Sequence, residues 1–164
     1  MTDLCCKSTP LRDELQQFWR RSPDPRIIII GVGRMMRGDE STGLLIADEL
    51  AKMNHRNTMV IRAEDRPENY TEQIRHFNPT HILFLLATRS GDVPGDTRLI
   101  TLQEHSSLSL HESPLTTLVH YLSAFLQVET RLLIVEPQTE MGEPSHVMSE
   151  AARRLAADIE ASLP

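Results

Sequence analysis

Four consecutive isoleucines, Ile27 to Ile30, lie between Pro25 and Gly31. β-branched side chains are stiff about χ1 and pack well on a pleated surface. An unbroken apolar run, unlike an alternating one, suits a strand covered on both faces. The run therefore predicts a central strand over Arg26 to Val32. A polar loop from Gly33 to Glu40 follows. Beyond it, Ser41 to Met53 places Leu44, Leu45, Ala47, Leu50 and Ala51 on one inward stripe of a helix.

The same alternation continues along the chain. Thr58 to Arg62 reads as a strand, Thr71 to Phe77 as a helix ended before Pro79, and His81 to Leu86 as a strand. Pro94 and Gly95 turn the chain into Asp96 to Leu102, expected as an antiparallel edge strand. Ser113 followed by Pro114 opens a helix through Leu126 that should bury Leu115, Leu118, Leu122 and Phe125. Arg131 to Val135 is the last strand. Val147 to Leu163 is the closing helix, with Ala151, Leu155, Ala156 and Ile159 inward. The expected fold is a single three-layer α/β domain over residues 26–164. It has a twisted, mostly parallel sheet of about five strands, helices on both faces and one antiparallel edge strand. Residues 1–25 read as an N-terminal appendage: a short helix with Leu11, Leu15, Phe18 and Trp19 on one face, then a Pro-rich linker.

At 164 residues, one hydrophobic core suffices. The net charge is -6, and 17 basic residues are scattered among 23 acids, which argues against nucleic acid as a partner. No apolar stretch has the length of a membrane span, and Met1 to Pro10 lacks the apolar region of a secretory signal, so a cytoplasmic location is expected. Cys5 and Cys6 are adjacent, leaving no loop to staple, in keeping with a reducing compartment.

In an open α/β sheet, ligands bind beyond the carboxyl ends of the strands. The loops so placed carry Arg34, Arg37, Asp39 and Glu40, then Arg62, Glu64 and Asp65, then Arg89, and finally Glu136. His111 could reach the same rim. Gly31, Gly33 and Gly38 invite a dinucleotide reading, but the third glycine follows the second by five residues, and two acids stand where a phosphate would want positive potential. Alternatively, Asp39 and Glu40 are helix-start acids that favour the dipole, with Gly38 in a tight turn. His55, His76, His81, His105, His120 and His146 lack ligand spacing, are expected on surface or helix faces, and are assigned no role.

Five segments, in order, resemble a known family. GVGRMMRGDESTG resembles the GxGNxxxxDDGxG loop that opens the NiFe-hydrogenase maturation endopeptidases. RPENY resembles their PEN segment, LLATRSGDVPGD their VDATDxGxxPGE, LHESPL their THNMPL, and IVEP their terminal IQP strand. The similarity runs from Ile27 to Leu163 and is greatest to the formate-hydrogenlyase, or hydrogenase 3, branch. It implies a cytoplasmic peptidase that removes the C-terminal extension of a hydrogenase large-subunit precursor after nickel insertion. It also implies that nickel in the precursor is met by three side chains: a carboxylate in the first loop, an aspartate after the third strand and a histidine.

On this chain the resemblance puts the first at Glu40 and the third at His111, which become the candidate catalytic and metal-facing residues. The second falls at Leu86, which has no lone pair to offer. Arg62 and Arg89 stand where the family has acids, and Arg34 where it has asparagine. Glu136 takes the place of a glutamine, as a substitute carboxylate or as a solvated acid paired with arginine. Two functions follow. One is an active endopeptidase recognising nickel in its substrate. The other is a non-catalytic relative that binds a precursor tail, a maturation partner or an anionic ligand through Arg34, Arg62 and Arg89, with no cofactor. A nucleotide-binding enzyme using the Gly31 to Gly38 loop is a remote third.

Overall fold

The computed structural model describes residues 10–107 and 114–164. Expectations for His111 and for Ser113 as an N-cap lie outside the described residues. The elements, in chain order, are α1 (Leu11–Trp19), β1 (Ile27–Val32), α2 (Thr42–Ala51), β2 (Thr58–Glu64), α3 (Thr71–Phe77), β3 (His81–Ala87), β4 (Thr97–Ile100), α4 (Leu102–Ser107), α5 (Pro114–Phe125), β5 (Glu129–Val135) and α6 (His146–Ser162). Single 3-10 turns, Gly38–Ser41 and Pro67–Tyr70, lead into α2 and α3. The five-stranded sheet has the order β2-β1-β3-β5-β4, parallel except for β4, which runs antiparallel to β5 at the edge.

The isoleucine run behaves as its chemistry requires. Successive side chains point to opposite faces of a strand. Ile27 and Ile29 enter one core with residues of α1, α2 and α6, while Ile28 and Ile30 enter the other with Ile74 of α3 and residues of α5. All four isoleucines are fully buried.

The helix expected in the N-terminal appendage is built into the first of these cores. Leu15, Phe18 and Trp19 are buried there, and Trp19 Nε1 donates to Ser162 Oγ of α6 at 3.0 Å. Other expectations need correction. Ala51 faces solvent and Ile46 takes its place in the core. Phe125 is 72% exposed, lying on Tyr121 at a ring separation of 4.7 Å where α5 runs out. The edge strand stops at Ile100 because Thr101 begins α4. The Thr101 hydroxyl accepts the Glu104 N–H at 3.3 Å and the Glu104 carboxylate accepts the Thr101 N–H at 2.6 Å, a reciprocal capping box.

His81 is also buried, not on the surface as expected. It is 1% exposed at the start of β3, edge-on to Phe18 and Trp19, with Nδ1 2.7 Å from Thr80 Oγ1. Burial pushes its pKa below the usual 6.5. The Phe18 carbonyl and Glu129 oppose the shift, and Arg21 and Arg131 add to it. The unfolded chain therefore takes up a proton that the fold refuses, so this contribution to stability is present above about pH 6.5 and is lost as pH falls below it. The melting temperature should drop between about pH 6.5 and 5, and His81→Leu should remove that slope. An unchanged slope in the variant would contradict the assignment.

Candidate functional site at the carboxyl rim

Close backbone approach positions the rim. A Cβ on Gly31 would meet the Gly43 carbonyl oxygen at 2.5 Å, so α2 lies directly on β1 and delivers the Gly38–Ser41 turn to the strand end. A Cβ on Gly33 would meet the Glu40 carbonyl oxygen at 2.1 Å, and Gly38 has φ +55° against the loop after β5. These glycines face protein carbonyl oxygens. Beside Gly31 and Gly33 the space is taken by backbone of the same domain.

The two adjacent acids of the turn have opposite fates. Asp39 is fully buried. Its Oδ2 accepts the N–H groups of Gln138 and Thr139, each at 2.7 Å, and the Ser145 hydroxyl at 3.0 Å, while Oδ1 accepts the Ser145 N–H at 2.7 Å. Burial pushes its pKa up, but the bonds from Ser145, Thr139 and Gln138 outweigh this and leave it below the ordinary 3.8. Glu40 is exposed and has no side-chain hydrogen bond or ion pair among the described residues.

Glu136 is 6% exposed, and no arginine pairs with it among the described residues, contrary to the solvated ion pair that was one of its two expected roles. Its Oε2 lies 2.7 Å from both the N–H and the hydroxyl of Ser90 and 3.4 Å from the Asp92 N–H. Burial raises its pKa, the Ser90 and Asp92 donors lower it by more, and the net value lies below 4.5 even with the Asp92 charge nearby. Arg98 in turn holds Asp92 at 2.5 Å. Glu136 thereby orders the loop after β3.

Leu86 is 8% exposed, opposite Ile134 in the β3–β5 pairing and within the core on the α3 and α5 side. The space there is filled by hydrocarbon. Among the described residues, no three His, Cys, Asp or Glu side chains converge as a metal site.

The rim arginines have carboxylate partners. Arg62 reaches Asp48 at 3.0 Å and Glu64 at 2.8 Å, Arg34 reaches Asp65 at 3.5 Å, and Arg89 reaches Glu140 at 2.6 Å. Such exposed pairs are weak, ~0–1 kcal/mol each, but they offset the positive charge expected to draw an anion. Arg37 alone of these four has no side-chain partner among the described residues, and its backbone bridges to Gly142.

Sequence reasoning missed Ser90, the backbone donors at Gln138, Thr139 and Ser145, and an apolar feature. Met35, Met36 and Met141 are 55%, 68% and 76% exposed on the loops after β1 and β5. Those loops are joined by Gly38 N–H to Gly142 O at 2.9 Å and Gly142 N–H to Met36 O at 3.2 Å. Ser145 was legible: it follows a proline, opens an amphipathic helix, and caps α6 by accepting the Met148 N–H.

Comparison with known proteins agrees with this geometry. The model of the hydrogenase maturation protease family matches residues 44–163, more than half of the chain. The hydrogenase 3 maturation protease of Escherichia coli K12 is 34% identical over 98 residues, which are 58% of this chain and 63% of that relative. The crystal structure of the NiFe hydrogenase maturation protease HycI from Thermococcus kodakarensis KOD1 superimposes with a TM-score of 0.81 at 28% identity, covering 92% of this chain and 98% of that one. A crystal structure of the hydrogenase 3 maturation protease gives 0.74 at 25% identity, over 87% and 94% of the two chains. With the fold and a family match of this extent in agreement, the chain belongs to the hydrogenase maturation proteases.

Proposed function

We propose that this chain is an endopeptidase that removes the C-terminal extension of a NiFe-hydrogenase large-subunit precursor after nickel insertion, with Glu40 as the carboxylate that meets the precursor. Family membership supports the endopeptidase role in hydrogenase maturation. The observation that carries the site assignment is the contrast among three rim carboxylates. Asp39 and Glu136 are committed to backbone N–H groups, whereas Glu40 is held at the surface with no side-chain partner among the described residues.

A carboxylate oxygen and an imidazole are chemically suited to nickel, so Glu40 and, by resemblance, His111 are the protein groups proposed to meet it in the precursor. Leu86 adds no donor. Glu136 already shares Oε2 among Ser90 and Asp92 donors and is a poor substitute. Nickel is recognised as part of the substrate, and the reaction adds water across the scissile amide to give a carboxylate and an amine. The exposed methionines beside Glu40 suit a protein substrate, because the thioether side chain adapts to irregular apolar surfaces. The apolar filling at Leu86 favours a second reading, a non-catalytic relative that binds the precursor without cutting it.

Mass spectrometry of nickel-loaded and nickel-free precursor after incubation with the protein separates the readings. Release of the extension from loaded precursor only, reduced at least about tenfold by Glu40→Ala, is expected. Binding without release would establish the second reading, and neither binding nor release would refute both. In the same assay, Met36→Glu with Met141→Glu should raise KM by about tenfold, equivalent to ~1.4 kcal/mol, and leave kcat nearly unchanged.

A further inference from the structure

We propose that Asp39 is a positioning residue for this reaction: its carboxylate holds the loop after β5 against the loop after β1 and so sets where Glu40 stands. The inference rests on the reading of Glu40 given above.

Every donor to the Asp39 side chain comes from the segment 138–145. The backbone answers in the same place, with the Asp39 N–H donating to the Thr139 carbonyl at 3.1 Å and the Gly38 N–H to the Gly142 carbonyl at 2.9 Å. On the other side, the Ser41 hydroxyl donates to the Gly38 carbonyl at 2.8 Å and the Thr42 hydroxyl to the Asp39 carbonyl at 2.6 Å, which closes the turn into α2. The Glu40 carbonyl rests on Gly33, where no side chain fits. Glu40 contributes none of these side-chain bonds. Its location is inherited from its neighbour, and the neighbour's location from residues about a hundred positions away in sequence.

Two acceptor oxygens facing four donors cannot be reproduced by an amide. In Asp39→Asn the single oxygen can keep the Gln138, Thr139 and Ser145 hydroxyl bonds only if the NH2 group is turned against the Ser145 N–H, and the opposite placement loses more. The variant therefore loosens the contact between the loops, while the two hydrophobic cores, which do not include Asp39, remain.

The test is cleavage kinetics on nickel-loaded precursor for the wild type, Asp39→Asn, Ser145→Ala and Ser145→Thr, each shown by thermal melting to be folded at the assay temperature. Asp39→Asn should lower kcat by about 10- to 100-fold with KM changed by less than about threefold. Ser145→Thr, which keeps the hydroxyl, should retain more of kcat than Ser145→Ala. An unchanged kcat in Asp39→Asn, or a change confined to KM, would overturn the proposal. If the wild type cleaves nothing, the reading of the site fails, and amide exchange decides the positioning role by itself. Faster exchange at the Asp39 and Glu40 N–H groups of Asp39→Asn, with β1 and β3 protection intact, would uphold it. Equal exchange would overturn it.

Discussion

A carboxylate withdrawn from water must have its oxygens met by donors, because an unsatisfied buried charge is far more costly than any single packing contact. Asp39 and Glu136 impose this demand at the carboxyl rim. Asp39 draws N–H groups from the loop after β5, and Glu136, at the end of β5, draws them from the loop after β3. Three loops from three strands are thereby tied to one another. The sheet beneath is independently firm, since both faces of β1 and β3 are sealed by apolar side chains. The rim is rigid for a different reason from the core, and a change of charge at either carboxylate should be felt mainly in the loops.

The fold was legible because its signals are local. Unbroken isoleucines, helical stripes and proline breaks lie within a few residues of the elements they specify, and the expected parallel sheet with its antiparallel edge strand is the one observed. Where the reading went astray, a local signal was passed over or the deciding partner was distant. The Thr101 to Glu104 capping box was written in the sequence and marks α4. Phe125 has the apolar character of a core residue, but in the last turn of α5 it lies on Tyr121 and stays 72% exposed. His81 looked like a polar strand end until α1 covered it with Phe18 and Trp19.

The site was legible as a place and not as a set of roles. Topology puts Asp39, Glu40, Arg62, Arg89 and Glu136 near one rim, but nothing next to Asp39 in sequence says that its donors lie beyond β5. The expected anion-binding arginines meet Asp48, Glu64, Asp65 and Glu140, and of these only Glu64 is close to its arginine in sequence. Leu86 differs in kind. Its apolar character is plain in the sequence, and the fold uses it as core. Of Asp39, Glu40 and Glu136, Glu40 is the carboxylate with no side-chain partner among the described residues.

The claim that the rim depends on two carboxylates held by N–H groups of neighbouring loops is most directly tested by carboxyl-carbon NMR titration of the wild-type protein. The bonds at Asp39 and Glu136 predict that both titrate below the ordinary values of 3.8 and 4.5. Titration of either group at or above its ordinary value would show that burial prevails over the donors and would contradict the account.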